Sequence, residues 1–412
     1  MTQQRSALTL TAIAYVPAVL SMMTVGVLVP FIETLSRDLA VSPAQLGLAI
    51  AFFSMPTAIL ATIGGGLIDR YGIRRSLLFA TATSAFGSAL ASQAPSLLAL
   101  DGAMAVAGLG FGGVCVTAPC LVIAALSDRP RIRAMSFLST FAPTGYAAGL
   151  LLAVPFTATG NWRTALLAHA GLMVLAFVAL FLLVPRVRAA VGAARDSLRQ
   201  TLARMLTVIR EPRAIRLGIA VALPNAVSYG TSLAAPAYLA RVHHLSIASS
   251  SATVAFAKIA AMVIGGSSMG YLLSRKVSAS LLFAVMVAIG VLAQTVLFLP
   301  ASGITFATVA LVVWLFAFGG MAGGAMTLLP SVVRDPARSG AASGLVNQFI
   351  SLASFAAPST WLALQSGLQY VLLASACLVV SLIALPAARS SQVTPDAVSR
   401  RQSDAAKGSP SI

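Results

Sequence analysis

The chain has 412 residues, of which 58% are hydrophobic and only 9% charged, and its formal net charge is +17. A soluble globular domain carries about 25% charged residues, so the composition excludes one and describes a protein whose solvent is mostly lipid. The positive charge invites a nucleic-acid reading, which its placement along the chain excludes.

Apolar runs of 18 or more residues read as membrane-spanning helices, because about 20 residues at a rise of 1.5 Å cross the hydrocarbon core. Twelve are expected, at 8–32, 44–67, 75–94, 97–126, 134–158, 164–184, 214–239, 248–273, 278–299, 303–330, 340–362 and 365–387. The first is too long for the apolar region of a signal peptide and eleven more follow it. The ten-residue alternating segments of a membrane β-barrel are absent, so the fold class is all-α. Pro17, Pro143, Pro224 and Pro358 fall inside runs and are expected to kink their helices. The polar stretch 185–213 interleaves Arg195, Arg199, Arg204 and Arg210 with Leu198, Leu202, Met205 and Ile209, the spacing of a helix lying in the membrane interface. It divides the chain into a six-span bundle (1–184) and a second one (214–387). Residues 388–412, rich in Ser, Ala and charge, are expected to be disordered. Cys115, Cys120 and Cys377 lie in apolar runs and are expected to serve packing.

Assigning loops alternately to two sides places 23 of the 27 lysines and arginines on one of them. The other side holds only Arg37, Arg163 and Arg241, and Lys258 falls inside a span. Positive residues stay on the cytoplasmic side, which puts both termini there and makes the number of spans even. The basic loops are also suited to anionic lipid headgroups.

The two halves repeat. Gly112-Gly113 followed by Pro119 matches Gly323-Gly324 followed by Pro330 at an offset of 211 residues. Gly65, Leu67 and Arg70 match Gly270, Leu272 and Arg275 at 205, and Pro30 and Leu39 match Pro236 and Leu245 at 206. Three matches in one order at nearly constant offset indicate a duplication.

Between the second and third runs lies a turn with the spacing Gly-x3-Asp-Arg-x-Gly-x-Arg-Arg, formed by Gly65, Asp69, Arg70, Gly72, Arg74 and Arg75. It resembles the loop signature between helices 2 and 3 of the major facilitator superfamily of transporters. The resemblance implies two six-helix bundles around a site near the midplane. It also implies that Asp69 and Arg70 act as a gating latch holding the halves closed on the cytoplasmic side. Ile73 stands where the family usually has Arg. In the second copy Ser274 stands where an Asp would.

Lys258, near the middle of the eighth run, is the sharpest candidate for chemistry. An ammonium about 15 Å from either end of a helix cannot snorkel fully to water. A central cation costs roughly 2.5–3.5 kcal/mol on insertion scales and usually faces a cavity or a partner, so Lys258 is expected to attract an anionic or electron-rich group. The bland reading is a buried lysine bonded to backbone carbonyls. Asn225, Ser228 and Tyr229 share one face of the seventh run, Asn347 and Gln348 mark the eleventh, and Tyr15, Tyr146 and Trp314 offer aromatic walls. These could contact substrate or simply bond between helices. Candidates for carrying a coupling proton are Asp101, Glu33 and His169, each with an ordinary structural alternative.

The sequence has no HExxH, no clustered Cys/His metal set and no P-loop. No enzymatic residue, cofactor or metal is therefore expected, and the driving force must be an ion gradient. The reading is a monomeric secondary transporter in a bacterial-type inner membrane, moving a small organic solute by alternating access. Drug exporters of the resembled family commonly carry an arginine four residues before a glycine in helix 4. Here Met104 precedes Gly108, while Ala142-Pro143-x-Gly145 with Gly149 partly matches their helix 5 pattern. The missing arginine and Lys258 favour proton-coupled uptake (symport) of an anionic metabolite, vitamin or nutrient. Proton-driven efflux of drugs or metabolites is the alternative, and a non-transporting membrane sensor a remote one.

Overall fold

The computed structural model describes residues 2–184, 211–275, 277–328 and 339–386, whose regular secondary structure is all helical. The N-terminal half comprises α1 (Thr2–Leu28), a 3-10 turn (Val29–Phe31), α2 (Ile32–Asp38), α3 (Pro43–Tyr71), α4 (Ile73–Ser92), α5 (Leu97–Ala125), α6 (Asp128–Leu138), α7 (Phe141–Thr157) and α8 (Trp162–Leu183). The C-terminal half comprises α9 (Pro212–Val242), α10 (Ile247–Ser274), α11 (Ala279–Phe298), α12 (Ile304–Thr327), α13 (Ser339–Leu362) and α14 (Gly367–Ala384). The expected interface helix and tail fall almost wholly outside the described residues.

A helix occupies each of the twelve apolar intervals. Among the described residues nine helices are long and apolar enough to cross a membrane. The other three are α4, α7 and α13. Helix α4 begins with Arg74 and Arg75 and buries Thr81, Ser84, Ser88 and Ser92 against its neighbours, so it need not be apolar throughout. The expected span 134–158 is broken at Ser139–Thr140, which leaves α7 with 17 residues. That break also corrects the expected kink at Pro143. It is the third residue of α7, in the first turn, where a missing N–H leaves no bond unmade. Pro17, Pro224 and Pro358 do lie inside helices.

At the end of the bundle opposite the arginine-rich turns, which we call the far end, helices begin on side-chain caps. Ser42 and Gln45 form a capping box on α3, and Ser366 and Gln369 another on α14. Ser96, Asn161 and Ser246 accept from the first-turn amides of α5, α8 and α10. Neutral oxygens thus satisfy orphan amides on the side that carries few charges. At the basic end the turn between α3 and α4 is the single residue Gly72, whose φ of 81° suits glycine. Arg74 donates to the Phe181 carbonyl at 2.7 Å, and Arg216 donates to the carbonyls of Ile383, Ala384 and Leu385. Each arginine thereby closes the C-terminal end of the last helix in its half, where the helix dipole favours a cation.

The duplication reappears in the packing. Helix α5 packs on α3 and α4, α1 on α7, and α8 on α4 and α1. In the second half α12 packs on α10 and α11, α9 on α13, and α14 on α11 and α9. The leading glycine of each pair sits at a matching crossing: a Cβ on Gly112 would lie 2.9 Å from the Thr57 Cα of α3, and one on Gly323 3.8 Å from the Gly266 Cα of α10. The third sequence match is looser, since Pro30 lies in the 3-10 turn and Pro236 inside α9. The halves meet along two helix pairs, α3 with α13 and α7 with α10, which exchange under the repeat.

Candidate functional site

A cavity of about 280 Å³ lies between the halves. Phe53, Ser54 and Thr57 of α3, Phe111 of α5 and Tyr146 of α7 line one side; Asn225, Ser228 and Tyr229 of α9, Lys258 and Met262 of α10, and Ser351 and Ser354 of α13 line the other. Its walls are mostly apolar with a few converging polar groups, the usual character of a small-molecule site.

Lys258 is the one charged lining residue among the described residues and is 7% exposed. The Nζ donates to the Ser232 Oγ at 2.6 Å and sits 4.7 Å from the centre of the Tyr146 ring, where the quadrupole attracts a cation. The Ser232 hydroxyl donates in turn to the Ser228 carbonyl at 2.6 Å. Across the interface, the Tyr146 hydroxyl donates to the Ser232 carbonyl at 2.7 Å. The lysine is therefore held by residues of both halves and has two N–H bonds left for a ligand. Among the described residues no carboxylate lines the cavity.

On the opposite wall the Asn225 Nδ2 donates to the Ser354 Oγ at 3.0 Å. Ser54 neighbours the Tyr229 hydroxyl without closing a hydrogen bond of good geometry. Ser351 and Ser354 lie one turn apart on α13, and Asn347 sits on the same face one turn nearer the basic end, where it is exposed. Gln348 reaches across to the Ala58 carbonyl at 3.3 Å, a bond between halves rather than a cavity wall. Trp314 is wholly buried within the C-terminal half, beside Phe318 and over Gly290, and does not reach the cavity.

The three proton-coupling candidates lie elsewhere. Glu33 is exposed on α2, near the far end. Asp101 is in the second turn of α5, with its Oδ1 buried and lacking a hydrogen-bond partner among the described residues. His169 is fully buried on α8; its Nε2 meets the Leu20 carbonyl at 2.7 Å and its Nδ1 the Ser88 hydroxyl at 2.7 Å. A carbonyl only accepts, so Nε2 carries the proton and the ring ties α8 to α1 and α4.

Of the gating candidates, Arg70 is exposed with its guanidinium 5.4 Å from the centre of the Tyr71 ring, Gly72 forms the turn, Arg74 caps α8 and Arg75 is exposed. The side chain of Asp69 and the surroundings of Gly65 lie outside what the structure describes. At the far end the halves touch closely: Phe52 meets Phe355 edge to face at 6.4 Å, and a Cβ on Gly47 would lie 2.6 Å from the Ser359 backbone.

Sequence reasoning reached Lys258, Tyr146, Asn225, Ser228 and Tyr229, which the fold brings together. It missed Ser232, Ser54, Ser351 and Ser354. The signal for Ser232 was its place one turn after Ser228 on the same face. The other serines are ordinary in an apolar helix until the neighbouring helix is known.

Two halves of like packing enclose the cavity, and nine helices among the described residues are long and apolar enough to cross a membrane. The chain belongs to the Major Facilitator Superfamily, whose sequence model matches residues 14–358. It is similar to the crystal structure of a mutant of the nucleoside transporter NupG, with a TM-score of 0.74, 11% identity and coverage of 92% of this chain and 98% of that one. The inward-open xylose transporter XylE from E. coli gives a TM-score of 0.72 at 17% identity, covering 94% and 98%. At these identities the likeness is one of fold. Among curated proteins it is 30% identical to the cephamycin export protein CmcT of Amycolatopsis lactamdurans over 44% of this chain and 38% of that protein. It is 30% identical to the niacin transporter NiaP of Acinetobacter baylyi over 34% and 32%, and 26% identical to the probable sulfoacetate transporter SauU of Cupriavidus necator over 37% and 34%. The matches thus span about a third of those relatives.

Proposed function

We propose that this transporter carries a small organic anion across a bacterial inner membrane by alternating access, coupled to protons and in the direction of uptake. The observation that carries the reading is the Lys258 ammonium, buried in the cavity between the halves with no carboxylate on its walls among the described residues. A desolvated cation without a counterion is a site for an anion, and a carboxylate or sulfonate would supply the opposite charge. Two of the relatives are named for niacin and sulfoacetate, both small anions at neutral pH. The basic end then faces the cytoplasm, and the close contact of the halves at the far end suits a state closed to the outside.

The test is a thermal-shift measurement on the purified protein with nicotinate, sulfoacetate and the uncharged nicotinamide, followed by uptake of the stabilising compound into proteoliposomes. A ligand of the folded state raises apparent stability by RT ln(1 + [L]/Kd), about 2.7 kcal/mol at a hundred times Kd. Anions should stabilise and nicotinamide should not. Stabilisation and flux confined to neutral or cationic compounds would sink the anion reading. Extrusion driven by an inward proton gradient would reverse the direction.

Asp69 keeps its proposed role as a latch on the basic end. Asp69→Asn is expected to slow turnover by about tenfold, the cost of roughly 1.4 kcal/mol of lost latch stabilisation, with normal insertion and ligand-induced thermal shift. Wild-type flux from the inserted variant removes the latch.

A further inference from the structure

We propose that Lys258 is itself the carrier of the coupling proton, so that one proton and one anion cross together as an ammonium–anion pair; the inference rests on the anion reading above. Of the chain's ten acids, Asp101 is in the second turn of α5, and Glu33 and Asp38 lie at the far end of the first span. Among the described residues no carboxylate lines the cavity. His169 has both ring nitrogens engaged within the N-terminal half and lines no part of it.

The groups that face Lys258 are equally telling. Helix α7 presents the Tyr146 ring and α9 presents Ser228, Tyr229 and Ser232; α12 contributes Phe318 to the same cavity, and the 3-10 turn Val29–Phe31 is apolar. None of these elements brings an acid or an imidazole to the cavity. The one titratable cation takes that place.

The cycle then balances without any further group. With anion present, the protonated amine and the anion form a neutral pair that the closing halves can enclose. After the anion leaves, a bare ammonium would have to be enclosed alone in a dry cavity, which disfavours reorientation. Loss of its proton to the water on the release side removes that charge. The neutral amine still has an N–H for the Ser232 Oγ, so the lysine keeps its position in both states. On the other face the amine regains a proton from water. One proton and one monoanion have moved the same way, and no net charge has crossed.

Proteoliposomes holding a pH-sensitive dye, with the membrane potential clamped, test this with nicotinate as the probe. Wild type should acidify the lumen by one proton per nicotinate, at a rate indifferent to the clamped potential. Lys258→Arg keeps a permanent cation, so the ratio of proton-coupled net uptake to nicotinate–nicotinate exchange should fall at least tenfold. Asp101→Asn and Glu33→Gln should keep coupled uptake. Coupled uptake surviving in Lys258→Arg, coupling lost with exchange intact in Asp101→Asn or Glu33→Gln, or wild-type uptake without acidification would each overturn the inference alone. Should Lys258→Arg fail to fold, the wild-type stoichiometry and the Asp101 and Glu33 variants still decide. Wild type that exchanges neither nicotinate nor sulfoacetate overturns the anion reading beneath it.

Discussion

Lys258→Met is expected to lose at least about thirtyfold in affinity for the anion while the folded protein becomes no less stable. Truncating one partner of a buried, hydrogen-bonded charge pair costs about 2–5 kcal/mol, and 2 kcal/mol is already about thirtyfold in Kd. Stability moves the other way, because the unliganded protein holds a buried cation whose insertion costs roughly 2.5–3.5 kcal/mol. Methionine fills similar volume without the charge, and the Ser232 hydroxyl keeps its bond to the Ser228 carbonyl. Titrating nicotinate against the melting temperature of both proteins checks the two effects at once. Equal affinity for the anion in the variant removes Lys258 from the binding site, and a fall in unliganded stability would mean that the lysine is chiefly a structural clamp between Tyr146 and Ser232.

Gly47→Val should open the far end. A Cβ there would lie 2.6 Å from the Ser359 backbone and 2.7 Å from the Pro358 carbonyl carbon, atoms that cannot rotate away. Overpacking of this kind costs about 1–3 kcal/mol. The contact joins the two halves, so the strain falls on this conformation and not on either bundle. The equilibrium should shift by about 5- to 150-fold toward states in which α3 and α13 have parted. Labelling of a Phe355→Cys reporter by an impermeant maleimide, with Cys115, Cys120 and Cys377 replaced, should accelerate at least fivefold from the far side, and turnover should fall. An unchanged labelling rate in a folded variant would show that the α3–α13 contact is no gate.

Much of the architecture was legible in the sequence because lipid imposes one dominant demand, long apolar helices. Where that demand relaxes, legibility fails. Helix α4 can bury serines because neighbouring helices cover them, and the 134–158 run reads as continuous although Ser139–Thr140 interrupts it. Lys258 stood out as a lone cation in an apolar run, and Tyr146 as one of three aromatics able to wall a site. Which polar group receives the lysine is a matter of how α9 lies across α10, and nothing local to Ser232 encodes it. Trp314 shows the converse: a large aromatic at cavity depth whose helix happens to turn it into its own bundle.

The one-residue turn at Gly72 has a mechanical consequence. Helix α3 runs unbroken from the Gly47 contact to that turn, a rod of about 38 Å at helical rise, and no slack loop separates it from α4. Tilting the rod about its far-end contact displaces the turn by on the order of 0.7 Å per degree. Angular play too small to disturb packing at the fulcrum becomes a stroke of several ångströms at the basic end, and Pro56 gives the lever a place to flex.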